Sequence, residues 1–525
     1  MQQKIINNIV NELSASLSIE QKLSQLFIVG YYGLNLPEEL FEWARNYLGG
    51  IVFFRDNIDS PLNIAETIWK VQLLSSIGLF TAIDQEGGLV ERITGLTQVP
   101  SFMALSSSGD HELVIQSNDI IARELSLLGF NLNFTPVVDV NTKPENPIIG
   151  IRSFGDDPIK VGELGLKVID VMRKHNIIPV AKHFPGHGAT DSDSHLDLPA
   201  INISYDKLCR DHFFPFQEAI ANSVEMIMVC HVSFKQITER DKLPASLAYD
   251  VVTDLLVNKM NYNGLIITDD LEMKAISKLY SIEKAAESAL NAGVDILLYR
   301  NYNHAKVAYR HILSKISSGN LSESRLNLSF KKIIELKIKY SILKTLFIPD
   351  LSKVNSLIKS DSAVNLAQTL FDRSITVYKD CEIDNISNKL IISVDKNQLI
   401  HHYKSEENLN LSDLIPDTEE IKISLNPDKK EIERVLSKVN KYEKVIIVSY
   451  NAFFNKNQAD LIKKIIKKKE VYLLAAGSPY DVSIFASAAF IALSYGYANA
   501  ALRSFVKVLK REIEPNKTLP VNIAL

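Results

Sequence analysis

The chain has 525 residues, 46% hydrophobic and 23% charged, which excludes a largely disordered or fibrous protein and exceeds what one ordinary core holds, so two domains are expected. Lysine and arginine number 58 against 62 aspartates and glutamates, and the net charge of −4 leaves no footprint for nucleic acid or an anionic membrane.

The first residues, MQQKIINNIVNELSASLSIEQKL, read as one amphipathic helix without the unbroken apolar run of a signal peptide. Short apolar runs then recur: QLFIVG (25–30), GGIVFF (49–54), LFTAID (79–84), FNLNFTPVVDV (130–140), IIPVAKH (177–183), MIMVCHV (226–232), GLIITDD (264–270) and VDILLYR (294–300). Segments of helical spacing separate them. Apolar runs without alternation, divided by helices, predict parallel strands buried on both faces. Eight such units in roughly 300 residues match a (β/α)8 TIM-like barrel, with a doubly wound open sheet as the alternative.

After Arg300 an amphipathic stretch runs to about Leu343. The domain boundary is placed there, with residues 1–345 as the catalytic barrel, 346–525 as a C-terminal domain and a linker near 345–355. The second domain starts with a helix (SLIKSDSAVNLAQTLFDR) and continues through strands KLIISVD, KVIIVSY, EVYLLAA and FIALSY, a pattern that predicts a smaller three-layer α/β sandwich. The lysine run at 462–469 places Ile462, Ile465 and Ile466 on one helical face and reads as a solvated helix. Val482 to Leu502 carries no charge and is long enough to span a bilayer, but its serines, Gly496 and Asn499 argue for a buried strand and a helix instead. Cys209, Cys230 and Cys381 are odd in number and far apart, forming neither a disulfide framework nor a zinc pattern. A cytoplasmic protein without a membrane span is expected.

In a barrel of this type the reacting groups sit at the C-terminal ends of the strands. Those ends carry Asp84, Asp139, Lys182, His183, His231 and the pair Asp269 and Asp270. Any one of them could simply cap the next helix; their convergence from five strands is harder to explain that way. The segment KHFPGHGATDSDSH (182–195) holds three histidines and two carboxylates. It reads as a metal site using His183, His187, Asp191 or His195, as a solvated loop, or as an acid/base loop in which Asp193 orients His195. Asp-x-His sets both side chains on one side of an extended segment, which makes the last pairing easy. No GxSxG elbow is present and no cysteine lies at a predicted strand end, so the best nucleophile is a carboxylate of IITDDLEM. A carboxylate with a separate proton donor is what retaining glycoside hydrolysis needs. Spacing does not choose between Asp269 and Asp270.

These motifs, with AIDQEGGLVERI (82–93), NPIIGIRSFGDDP (146–158) and a C-terminal ALSYGYANAALRSFVKVLKREIEPNKTLPVNI, resemble the glycoside hydrolase family three β-N-acetylglucosaminidases of the peptidoglycan-recycling type over nearly the whole chain. The resemblance implies a retaining exo-β-N-acetylglucosaminidase acting on terminal β-linked N-acetylglucosamine of muropeptides or disaccharides, with no metal and no cofactor. It makes Asp269 the nucleophile, His195 the acid/base and Asp193 its orienting partner. Asp84, Arg92, Arg152, Lys182 and His183 would surround the sugar, with His231 lining the site. Leu89 departs from the arginine expected in the DQEGG segment. Trp43 and Trp69 are the only tryptophans, which favours a short pocket over a long polysaccharide cleft. A phosphorylase on the same fold, a β-glucosidase, a non-catalytic sugar-binding relative and a metal-dependent hydrolase are the competing readings.

Overall fold

The structure is a computed structural model that describes residues 2–191, 197–343, 348–383, 386–399 and 409–523. Eight parallel strands form the first sheet: Phe27–Val29, Gly50–Phe53, Phe80–Ile83, Leu132–Asn133, Ile178–Phe184, Met226–Val229, Leu265–Thr268 and Leu297–Tyr299. Each coincides with one of the eight apolar runs, and nearly every residue in them is buried because helices cover the outside and side chains fill the inside. The eighth strand pairs with the first, Phe27 opposite Leu297. A parallel bridge between Ile267 and Ile296 joins the seventh to the eighth, so the sheet closes and the open doubly wound alternative is set aside.

Asp295 holds that seam. It is fully buried, accepts the Ile266 backbone N–H at 3.1 Å, and pairs with Arg325 at 2.9 Å, Ser329 at 2.6 Å and Lys332 at 3.3 Å. The cations come from the helix Glu323–Lys339, which crosses the N-terminal end of the barrel and packs Phe330 and Ile334 against Val10 of the helix Gln2–Ser16.

Local signals override two helices expected to be continuous. The N-terminal one ends at Ser16, and a capping box between Ser18 and Gln21 starts a second over Ile19–Ser24. The helix expected over 356–373 is interrupted after Leu357; Ser360 caps the Ala363 N–H and restarts it over Asp361–Ser374. Val354, Ile358, Ala367 and Leu370 from this stretch join the barrel's apolar cluster.

The second sheet has five parallel strands, in the order Phe490–Leu493, Glu470–Ala475, Lys444–Ser449, Leu390–Val394 and Glu419–Ile423, with Thr376–Lys379 antiparallel at one edge. Helices cover it in the expected three-layer arrangement. The two strands absent from the sequence reading are its edges: EEIKI is charged and half-exposed, and TVYK is short, both common in edge strands. The uncharged stretch 482–502 resolves into the tail of a short helix, the strand Phe490–Leu493 and the start of the helix Asn499–Leu509. Among the described residues no helix is long and apolar enough to cross a membrane. Leu461, Ile462 and Ile465 are buried beneath the solvated lysines of the 462–469 run, while Ile466 is half-buried.

The sheet domain docks beside the barrel mouth. Met103, Ala104 and Ile151 of the barrel enter its core cluster, and Leu89 packs against the same cluster. Ser101 Oγ donates to the Tyr495 carbonyl at 2.7 Å, Ser107 Oγ to that of Ser374 at 2.8 Å, and Asn141 Nδ2 to the Tyr480 hydroxyl at 3.1 Å. Gly155 has a φ of +141°, and a Cβ there would lie 2.1 Å from the Pro520 carbonyl, so both conformation and contact require glycine.

Asp295→Ala strands two cations at the barrel seam and should cost about 3–5 kcal/mol. Urea denaturation followed by tryptophan fluorescence checks this, since Trp43 and Trp69 both lie in the barrel. A loss below about 1 kcal/mol would contradict the role given to Asp295.

Candidate active site

Asp84 and Glu86 follow the third strand, and Lys182 lies on the fifth. Lys182 Nζ lies 2.7 Å from Asp84 Oδ1 and 2.7 Å from Glu86 Oε1, with a side chain 2% exposed. Arg152 grips Glu86 through two bonds of 2.9 and 2.7 Å, and Arg92 reaches Asp84 at 3.2 Å. Burial alone would raise both carboxyl pKa values, but Lys182 and Arg92 hold Asp84 well below the carboxylate range, and Arg152 and Lys182 hold Glu86 at about 2. Two carboxylates against three cations leave this cluster one positive charge in excess.

Beyond the fourth strand, Asp139 is fully buried and organises the start of the loop after the fifth. Its carboxylate accepts His183 Nδ1 at 2.7 Å, the His183 backbone N–H at 3.2 Å and the His187 backbone N–H at 2.5 Å. Nδ1 donates to Asp139, which fixes the orientation of the His183 ring. Burial lowers the His187 pKa to about 4 against the pull of Asp139, which makes this imidazole neutral near pH 7. Asn146 fastens the loop by donating to the His187 carbonyl at 2.8 Å, and Lys143 pairs with Asp191 at 2.6 Å on the surface. Asp193 and His195 lie outside the described residues.

The two carboxylates after the seventh strand face different surroundings. Asp270 accepts the backbone N–H groups of Glu272 at 3.0 Å and Arg300 at 3.3 Å, which ties it to the loop after the eighth strand. Burial, followed by the Glu272 and Asp269 charges, pushes its pKa up to about 7. Asp269 Oδ1 accepts the Asp270 backbone N–H at 2.8 Å, and its charge also acts on His187, His231 and Cys230. Asp269 thus lies within electrostatic reach of residues that follow the fifth and sixth strands. His231 is fully buried, with Nδ1 2.7 Å from Ser246 Oγ and Nε2 3.0 Å from the Asp270 carbonyl. A carbonyl only accepts, so Nε2 carries the proton and Nδ1 accepts from Ser246. Both ring nitrogens are thus engaged by the protein.

A family model for the N-terminal domain of glycosyl hydrolase family 3 matches residues 18–336. The chain belongs to this family. Beta-hexosaminidase A of Pseudoalteromonas piscicida is 33% identical over 333 residues, covering 58% of this chain and 56% of the relative. A beta-N-acetylglucosaminidase/beta-glucosidase of Cellulomonas fimi is 28% identical over 376 residues, 70% of this chain and 65% of the relative. The chain thus spans somewhat more than half of the first relative and about two thirds of the second. A glycoside hydrolase family 3 beta-N-acetylglucosaminidase structure from Paenibacillus sp. str. FPU-7 superposes with a TM-score of 0.90 at 32% identity, covering 97% of this chain and 99% of that one.

In this family 3 chain the structure brings Asp84, Arg92, Arg152 and Lys182 into one network, with Glu86 as its second acid. Sequence reasoning passed over Glu86 although it lies inside DQEGG; its burial between Lys182 and Arg152 is what distinguishes it. Asp139 was visible as a strand-end carboxylate, but not as the group that orients His183. Cys230 corrects an expectation: it directly follows the sixth strand, yet burial raises its thiol pKa well above 9 and makes it a poor nucleophile. Among the described residues no three His, Cys, Asp or Glu side chains are grouped to hold a metal ion. Those of the loop are engaged otherwise, His183 with Asp139 and Asp191 with Lys143.

The depressed pKa of Glu86 has a stability consequence of definite sign. A carboxyl shifted from 4.5 to about 2 on folding stabilises the protein above pH 4.5, and the contribution disappears as pH falls through about 2. Thermal midpoints of the wild type should therefore fall more steeply across this window than those of Glu86→Gln, which starts lower at neutral pH. Parallel curves would contradict the coupling.

Proposed function

We propose that this chain is a retaining exo-β-N-acetylglucosaminidase that removes terminal, non-reducing β-linked N-acetylglucosamine from peptidoglycan fragments. The observation that carries the reading is the separation of Asp269 from Asp270. Asp270 is tied to the loop after the eighth strand by the Arg300 N–H and carries a raised pKa, while Asp269 accepts the Asp270 N–H and lies within electrostatic reach of His187 and His231. The nearly end-to-end likeness to the Paenibacillus beta-N-acetylglucosaminidase supports the choice of sugar.

In this reading Asp84, Lys182, Arg92, Arg152 and His183 bind the hydroxyls of one terminal sugar, with Glu86 holding the two cations it pairs with in place. His231 acts as a positioning residue, since its Nε2 fixes the Asp270 carbonyl. Asp269 attacks the anomeric carbon as the glycosidic C–O bond breaks, and His195 gives its proton to the leaving oxygen. Neutral His195 then takes a proton from water, whose oxygen attacks the same carbon and releases Asp269. Asp193 orients the imidazole throughout and stabilises its cationic form. The assignment of Asp193 and His195 rests on the DSH motif. The excess positive charge of the Asp84 cluster favours an ionised Asp269.

The proposal takes residues 1–345 as the catalytic domain and 346–525 as a wall beside the mouth, supported by the packing of Leu89 against the latter's core. A cytoplasmic setting is part of it, supported by the free thiols Cys209, Cys230 and Cys381.

Initial rates on an aryl β-N-acetylglucosaminide and the matching β-glucoside, in phosphate-free buffer, test the reading. A strong preference for the acetamido sugar is expected, and Asp269→Asn should lower kcat/KM by ~10³-fold or more. Turnover that requires added phosphate would assign phosphorolysis instead. No turnover of either sugar with phosphate present or absent would overturn the proposal.

A further inference from the structure

We infer that Tyr32, backed by Arg300, is the platform on which a second sugar ring, the aglycone of the substrate, stacks outside the terminal-sugar pocket. The inference rests on the exo-glycosidase reading of the same mouth and extends it to the leaving group.

Tyr32 follows the first barrel strand and is 59% exposed, an unusual amount for a large aromatic ring beside a pocket. It is nevertheless held. The Arg300 guanidinium carbon lies 5.1 Å from the Tyr32 ring centroid and 4.6 Å from that of Phe54, at the end of the second strand. Arg300 Nη2 pairs with Asp56 Oδ1 at 3.0 Å, which fixes the guanidinium against both rings. Gly30 permits this approach, since a Cβ there would meet the Arg300 carbonyl at 2.7 Å and the Phe54 ring at 3.0 Å. A bulkier residue would push the eighth-strand loop away from the first.

The cluster is tied to the reaction centre on both sides. The Arg300 backbone N–H bonds the Asp270 carboxylate at 3.3 Å, one residue from Asp269. Arg55, next to Phe54, donates to the Glu91 carbonyl at 2.5 Å, and Glu91 adjoins the Arg92 that holds Asp84. An aromatic rim therefore runs from the seventh-strand carboxylates to the sugar-binding cluster.

Two polar features make the rim suited to a sugar rather than to a purely apolar leaving group. The Arg300 side chain is 38% exposed, so guanidinium donors lie beside the ring edge. Asp56 adds an acceptor at the same place. A pyranose offers an apolar C–H face to the ring and hydroxyls to its rim, matching both. The tryptophans do not compete for this role: Trp43 is buried with its indole N–H on Ser24, and Trp69 lies within the helix Pro61–Leu74.

The test compares kcat/KM on N,N′-diacetylchitobiose, which has a second pyranose, with kcat/KM on β-N-acetylglucosaminyl fluoride, which has no aglycone ring. The ratio of the two cancels differences in active enzyme concentration between preparations. In Tyr32→Ala it should fall about tenfold, and Tyr32→Phe, which keeps the ring, should restore it to within about threefold of wild type. An unchanged ratio in Tyr32→Ala, with wild type cleaving both substrates, overturns the platform while leaving the enzyme assignment intact. Wild-type enzyme that cleaves neither substrate overturns the exo-glycosidase reading, and the platform with it.

Discussion

The mouth of the barrel depends on a network of two carboxylates and three cations whose centre, Glu86 and Lys182, is buried away from water. Lys182 lies 2.7 Å from both Asp84 and Glu86, and Arg152 and Arg92 complete the set from outside. Removing Glu86 would leave Lys182 and Arg152 short of a counter-charge in a poorly solvated site, at a cost of several kcal/mol. The network therefore locks the segments after the third, fourth and fifth strands into one arrangement. It is rigid, dense in donors and positively biased, and those properties suit the recognition of sugar hydroxyls next to a carboxylate that must stay ionised.

Around that anchor the remaining carboxylates divide their tasks by their neighbours. Asp139, sealed beneath the loop, fixes His183 and the backbone of His187. Asp270 secures the turn after the seventh strand to the loop after the eighth. Asp269, beside Asp270 in sequence, accepts the Asp270 backbone N–H. His231, bonded through one nitrogen to Ser246 and through the other to the Asp270 carbonyl, holds the two aspartates in that relation. One backbone turn thus carries two carboxylates with different partners.

Much of this was legible in the sequence because parallel strands buried on both faces leave an uninterrupted apolar run, which a one-residue ambiguity in the ends does not hide. All eight barrel strands and four of the six strands of the second sheet were recognisable on that ground. The edge strands Glu419–Ile423 and Thr376–Lys379 were not, since half-exposed edges carry charge and lack the run. The break at Ser18 could have been read from its capping residues, Ser18 and Gln21, but the surrounding amphipathic pattern masked it. DQEGG and KHFPGHG lie in the segments that carry the charge network and the Asp139 contacts. Which of Asp269 and Asp270 faces the mouth depends on register, the partners of Glu86 depend on Arg152 some sixty residues away, and neither is carried by local spacing. Arg300 was invisible as a site residue because only barrel closure brings the eighth strand beside the first.

The second domain takes part through packing: its core receives Leu89 from the segment that also carries Glu86 and Arg92, so it supports the loop on which the charge network stands. The central claim is that Asp269, and not its neighbour, forms the covalent bond to the sugar. Incubation with a slow fluorinated N-acetylglucosaminyl fluoride, followed by peptide mass mapping with fragmentation, tests it most directly. The account predicts one adduct, on Asp269 within IITDDLEM. An adduct on Asp270 or another residue, or turnover with inversion at the anomeric carbon and no adduct, would contradict it.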